Sequence, residues 1–197
     1  MDSEKTLSYY NINAKKFTDG TINVDFSKTQ NRFLEMLDSS AAILDFGCGS
    51  GRDTKYFLEK GYYVDAIDGS EELCKIASVY TGIEVKCMLF QELDVMEKYD
   101  AIWACSSILH LSRMELVDVM GKMARAIKLN GLIYTSFKYG TFEGERNGRY
   151  FIDMNEDGIE ALIKEVPEIE ILEIWITSDV RPKRGEEKWL NLFLRKK

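Results

Sequence analysis

Two aspartates and three glycines carry the strongest chemical signal in this chain. They are Asp45, Gly47, Gly49 and Gly51 within Leu44-Asp45-Phe46-Gly47-Cys48-Gly49-Ser50-Gly51, and Asp68, which stands 21 residues beyond Gly47. Glycines at this spacing let backbone approach a polar ligand closely, and a helix opening behind them aims free N–H groups at it. The apolar run 41–46 in front of them reads as a buried strand. A second apolar strand, 62–67, leads to Asp68, where a carboxylate can accept hydrogen bonds from two ribose hydroxyls. Together these features predict a nucleoside-type cofactor on a doubly wound α/β sheet. A dinucleotide fingerprint is spaced G-x-G-x-x-G and takes a pyrophosphate. Here the spacing is G-x-G-x-G, with Asp45 two residues ahead. A carboxylate at that place suits an ammonium group and repels a pyrophosphate. An amino acid joined to adenosine is such a ligand.

At these residues the sequence resembles the class I S-adenosylmethionine-dependent methyltransferases. The segment Tyr99-Asp100-Ala101-Ile102-Trp103-Ala104-Cys105-Ser106-Ser107-Ile108-Leu109-His110 further resembles stand-alone bacterial small-molecule enzymes grouped with tellurite-resistance-type methyltransferases. The resemblance implies S-adenosylmethionine as cofactor and methyl transfer to a small acceptor, with release of S-adenosylhomocysteine. It also implies a Rossmann-like sheet of seven strands, mostly parallel, with an antiparallel last strand inserted near the middle and helices on both faces. Asp68, with Gly69 and Ser70, is the expected ribose end. Gly47, Cys48, Gly49 and Gly51 form the expected methionine cradle, with Asp45 near the ammonium or bracing the loop. Arg52 reaches the cofactor carboxylate or is solvated, and Asp53 touches the cofactor or complements the helix dipole. Phe90 and Gln91 cover the adenine or pack in the core. Leu89 stands where many relatives have an adenine-binding acid. Cys105 and Ser106 line the methionine and acceptor side. Tyr10 belongs to a leading helix that closes over the cofactor as a lid, or that simply packs on the sheet.

Two further groups bear on the acceptor. His110 is the one histidine in the sequence, and the one side chain here with an unperturbed pKa near neutral. It is a candidate general base, or a structural residue capping the helix that starts near Ser112. Lys138, Arg146, Arg149, Arg181, Lys183 and Arg184 lie on two loops that could border one opening. Of these, Lys138, Arg149 and Arg181 are the expected substrate contacts, because arginine forks bind carboxylate or phosphate at two points. They point to an anionic acceptor. The interspersed Glu143, Glu145, Glu186 and Glu187 leave a solvated mixed-charge loop as the other reading.

The elements that position these residues follow from periodicity. Helices are expected at 3–18 and 25–38, then the strand 41–46, a helix from Gly51 to Gly61, and the strand 62–67. A helix 70–80 capped by Ser70 precedes a strand at 83–89. The strand 100–105 leads through the loop 106–110 to a helix 113–128 capped by Ser112. Asn130-Gly131 ends that helix before the strand 132–138. A loop at 139–150, a helix at 155–165 and strands at 169–177 and 188–195 complete the chain. All of this reads as one domain, with 1–38 as helical lid and 41–197 as core.

With 197 residues and a net charge of −7, the surface as a whole is not built to attract nucleic acid. No apolar run is long enough to span a membrane, and the polar N-terminus does not read as a signal peptide. A cytoplasmic monomer or homodimer acting on a small molecule is expected, with neither nucleic acid nor membrane as partner. Cys48, Cys74, Cys87 and Cys105 form no Cys-x-x-Cys pair and read as small buried hydrophobes, so no metal site is expected. The rival readings are a methyltransferase acting on protein or RNA, and a catalytically silent module that binds S-adenosylmethionine.

Overall fold

The computed structural model describes residues 2–182 and 184–197; Met1 and Lys183 lie outside it. Two helices come first, α1 (Asp2–Asp19) and α2 (Ser27–Leu34). Strand and helix then alternate through β1 (Ala42–Phe46), α3 (Arg52–Glu59), β2 (Tyr63–Asp68), α4 (Glu71–Thr81), β3 (Val85–Cys87) and β4 (Tyr99–Ala104). After β4 come α5 (Arg113–Ala126), β5 (Ile127–Lys138), a hairpin of β6 (Glu143–Arg146) and β7 (Arg149–Ile152), α6 (Glu156–Lys164), β8 (Ile169–Ser178) and β9 (Lys188–Lys196).

Among the described residues, seven strands form one sheet in the order β3-β2-β1-β4-β5-β9-β8. Strands β1 to β5 pair in parallel, and β9 runs antiparallel between β5 and β8. The last strand is therefore inserted, one place from the edge. Alternation along the central strands gives the sheet two apolar faces, as a sheet covered on both sides requires. Leu44, Phe46, Ile102, Ala104 and Ile133 pack with Leu116, Met120 and Met123 of α5. Their neighbours Ile43, Ala101, Trp103, Leu132 and Tyr134 pack with Phe33 of α2 and Phe57 of α3.

Several helix boundaries follow from capping. Ser70 Oγ accepts from Leu73 N at the start of α4, and Gly82 ends that helix in the left-handed region. Ser112 and Glu115 form a reciprocal capping box on α5. His110 thus has no capping duty.

Two expectations are corrected. The strand after α5 begins at Ile127 rather than 132. Pairing shifts from Tyr99↔Ile127 to Ala101↔Leu132, and Asn130 sits at φ 61 in the extra length. Asn130-Gly131 therefore marks a bulge inside β5, not a helix end. Residues 139–150 are not a loop, because β6 and β7 pair through Arg146↔Arg149. The two residues between them, Asn147 and Gly148, have φ 54 and 74. That is the turn a two-residue hairpin prefers.

Candidate functional site

The chain order reverses between β1 and β4, and the crevice at the carboxyl ends of such strands is where open α/β sheets bind ligands. A cavity of about 240 Å³ lies there. The glycine loop after β1, the end of β2, the turns after β3 and β4, the end of β5 and the start of β9 line it, and α1 and β7 close over it.

Gly47 (φ 88) and Gly49 (φ 57) hold the loop in the left-handed region. A Cβ on Gly47 would lie 2.4 Å from Ser107 Cβ, and one on Gly49 would lie 3.0 Å from the Phe17 ring. Only glycine meets both demands here. Asp68 closes the loop from β2. Its Oδ2 accepts from Gly49 N at 2.9 Å and its Oδ1 from Ser70 N at 2.8 Å. A carboxylate has about four acceptor sites, so each oxygen keeps capacity for a further donor. Burial pushes the Asp68 carboxyl above its ordinary range, against the pull of these amides.

Of the residues expected at the site, Tyr10, Gly47, Cys48, Gly49, Arg52, Asp53, Asp68, Gly69, Phe90, Gln91, Cys105, Ser106, His110, Lys138, Arg149 and Arg181 line the cavity. Asp45, Gly51 and Ser70 do not. Asp45 is buried beneath the loop, where Thr54 Oγ1 donates to it at 2.5 Å. Burial, with the charge of Asp53 adding to it, pushes Asp45 up to about 8. Gly51 packs against α4, beside Thr81 and Ala77. Ser70 Oγ donates to Asn11 Oδ1 at 2.7 Å and so ties α4 to α1.

Asp53 has its acceptor sites filled from within the protein. Gln30 Nε2 and Arg52 Nε donate to Oδ1, and Arg52 and Trp103 Nε1 donate to Oδ2, all within 2.9 Å. Burial raises its pKa, but the Arg52 charge and these donors outweigh that and hold the carboxyl low. Arg52 is therefore not solvated: it pairs with Asp53 and lies over the Phe26 ring.

His110 meets partners from two distant segments. Its Nδ1 lies 2.6 Å from the Tyr150 carbonyl and its Nε2 lies 2.9 Å from the Tyr10 hydroxyl. A carbonyl only accepts, so Nδ1 carries the proton and Nε2 accepts from Tyr10. Burial, with a contribution from the Arg149 charge, pushes His110 down to about 4. The ring is neutral at pH 7 and its lone pair is engaged, unlike the near-neutral base expected from its residue type. Arg149 donates to the same Tyr10 hydroxyl at 3.3 Å.

The expected excess of positive charge at the mouth is largely cancelled. Lys138 and Arg184 pair with Glu187, Arg181 with Asp179 and Arg146 with Asp153; Lys183 lies outside the described residues. Asp179 escaped the sequence reading because it precedes the cationic stretch by two positions. Other lining residues also escaped it, among them Thr6, Leu7, Phe17 and Phe26 from the leading segment, and Ser136, Phe151, Trp189 and Asn191. Leu7, Tyr10, Ala14 and Phe17 stand at helical spacing in the sequence, which was the available signal for Phe17. Cys87 is exposed, against expectation, while Cys48 and Cys74 are buried.

Comparison with known proteins agrees with this geometry. Residues 43–131 match a family described as a methyltransferase domain. Malonyl-[acyl-carrier protein] O-methyltransferase of Acetivibrio thermocellus is 27% identical over 152 residues, covering 72% of this chain and 52% of that protein. Ubiquinone biosynthesis O-methyltransferase of Rhodopseudomonas palustris is 28% identical over 100 residues, covering 48% and 39%. The chain thus spans about half the length, or less, of these curated relatives. Among solved structures, Burkholderia thailandensis 1,6-didemethyltoxoflavin-N1-methyltransferase, with bound 1,6-didemethyltoxoflavin and S-adenosylhomocysteine, superposes with a TM-score of 0.80 at 20% identity, covering 98% of this chain and 88% of that one. Magnesium protoporphyrin IX methyltransferase from Synechocystis, with bound S-adenosylmethionine, gives 0.76 at 15% identity, covering 100% and 98%. No helix among the described residues is long and apolar enough to cross a membrane. Residues 43–131 match a methyltransferase domain, and the whole chain has the fold of these solved methyltransferase structures.

Proposed function

We propose that the protein moves a methyl group from S-adenosylmethionine to a small molecule held in the same cavity. The observation that carries this reading is Asp68 at the end of β2. It is fixed by the Gly49 and Ser70 amides, retains acceptor capacity on both oxygens, and faces the cavity beside a loop in which Gly47 and Gly49 leave no room for a side chain. In this reading Asp68 holds the ribose, the 47–49 backbone cradles the amino-acid end, and Phe90 and Gln91 border the adenine. Cys105 and Ser106 form the floor toward the acceptor. Bound there, S-adenosylmethionine supplies a methyl carbon made electrophilic by its sulfonium.

What this chain contributes is placement, the larger share of catalysis for an in-line displacement. Helix α1 excludes water by laying Leu7, Tyr10 and Phe17 across the cavity. Thr6 Oγ1 pins it to β7 by accepting from Tyr150 N at 3.0 Å, and Asn11 pins it to α4. That cover favours a small acceptor over a protein or RNA chain. Neutral His110, already occupied by Tyr10, is a weak proton acceptor. The reading therefore favours an acceptor atom that brings its own lone pair at neutral pH.

Turnover with methyl-labelled S-adenosylmethionine against a panel of small nitrogen, oxygen and sulfur nucleophiles tests this. Label transferred to a small acceptor, with stoichiometric S-adenosylhomocysteine, is expected. Label appearing only in protein or RNA would contradict the small-acceptor reading, and binding with no transfer to any acceptor would favour a silent module.

A further inference from the structure

Five described cations line the cavity: Arg52, Lys138, Arg149, Arg181 and Arg184. Four of them face a carboxylate. Arg52 has Asp53, Lys138 has Glu187, Arg181 has Asp179, and Arg184 has Glu187 and Asp179. Arg149 alone among these five forms no ion pair. Its guanidinium lies 4.5 Å from the centre of the Tyr9 ring, 5.1 Å from Phe151 and 5.7 Å from Tyr10. One terminal nitrogen donates to the Tyr10 hydroxyl, and the buried Nε has no partner. Three rings thus hold a planar five-donor fork that spends one donor on a neutral group. Adjacent His110 is itself neutral, so it does not compete for an anion. A fork immobilised in advance loses little further freedom when it grips one.

We propose that Arg149 is the docking point for an anionic group on the acceptor, a carboxylate or a phosphate carried on a small apolar body. The inference rests on the methyltransferase reading above and names the substrate class for it. Leu109, Leu111 and Phe151 give the cavity an apolar wall that suits such a body. The cofactor carries a carboxylate of its own, so the same chemistry has a second source, and the experiment must separate the two.

Wild type, Arg149→Gln and Arg149→Lys are checked for folding by thermal melts and then saturated with S-adenosylhomocysteine. Benzoate, phenyl phosphate and neutral benzamide are titrated into each, with binding followed by ligand-detected NMR. Wild type should bind one of the anions at least about tenfold more tightly than benzamide, the scale of a charge-assisted two-point contact. Arg149→Gln should erase the preference and hold S-adenosylhomocysteine affinity within about twofold. Arg149→Lys should keep part of the preference, since it keeps the charge and loses the fork; if the Gln variant does not fold, that partial loss decides the matter. No anion preference in wild type, or a preference that survives in Arg149→Gln, overturns the inference. So does an Arg149→Gln variant that weakens S-adenosylhomocysteine about tenfold and leaves adenosine unchanged, because it assigns Arg149 to the cofactor's carboxylate. Failure of wild type to bind S-adenosylhomocysteine is a separate result: it refutes the methyltransferase reading, and this inference with it.

Discussion

At the residue scale, two buried titratable groups give the molecule opposing pH dependences. Asp45 rises from its ordinary 3.8 to about 8 through burial. Between those limits the folded protein keeps a proton that the unfolded chain has lost, so stability falls as pH rises. His110 falls from 6.5 to about 4 through burial. In that window the unfolded chain takes up a proton that the folded protein refuses, so stability falls as pH falls. Asp68, also raised by burial, acts in the same sense as Asp45. Below pH 6.5 the effects of Asp45 and His110 oppose; above it the effect of Asp45 continues up to about pH 8. Urea midpoints measured across pH should therefore decline from 6.5 to 8 in wild type and decline less in Asp45→Asn. His110→Gln should grow more stable toward pH 4, relative to wild type. A wild-type profile that Asp45→Asn leaves unchanged from 6.5 to 8 would refute the burial of a protonated Asp45. None of this was readable from residue types. The sequence identifies His110 as the one side chain titrating near neutrality, but the Tyr150 carbonyl and Tyr10 hydroxyl that fix its proton come from positions 150 and 10.

At the scale of elements, the parallel core was legible because buried parallel strands are continuous apolar runs between helical periods. The hairpin β6–β7 was not, because its strands are four residues each and β6 is charged and largely exposed. Its one clear signal, Asn147-Gly148, sat among glycines and charges that read as loop. The cationic mouth failed differently. Composition counted six cations against four glutamates, but pairing is spatial, and Asp179 and Asp153 supply carboxylates that the count left out. The hairpin matters for function because it delivers both Arg149 and the Tyr150 carbonyl to Tyr10 and His110. Gly148 has φ 74 and is exposed, and a Cβ there would lie 3.4 Å from the Tyr9 ring, in ordinary contact. Replacing it with valine forces an L side chain into the left-handed region, at a cost of about 1–2 kcal/mol. Gly148→Val should therefore speed amide exchange at Tyr150, whose N–H is held by Thr6, and leave β1 and β4 protected. Unchanged exchange at Tyr150 would mean that the hairpin is held by something other than its turn.

At the scale of the whole molecule, the strand order puts the reversal point between β1 and β4, and every group discussed converges there from distant parts of the sequence. The glycine loop and Asp68 were legible because one strand–turn–helix unit and the next strand encode them locally. Of the roof, only α1 was anticipated, through the family resemblance; β7 and the turn after β4 meet it only through the fold. The proposed function requires that the cavity beside Asp68 hold a nucleoside-linked amino acid. Titration calorimetry of wild type and Asp68→Ala with S-adenosylhomocysteine tests it most directly. Micromolar binding to wild type is expected, on the order of −8 kcal/mol. A folded Asp68→Ala should bind more weakly by about 1.5–3 kcal/mol, the scale of hydrogen bonds to a charged group. No heat with wild type, or equal affinity in the two proteins, would contradict it.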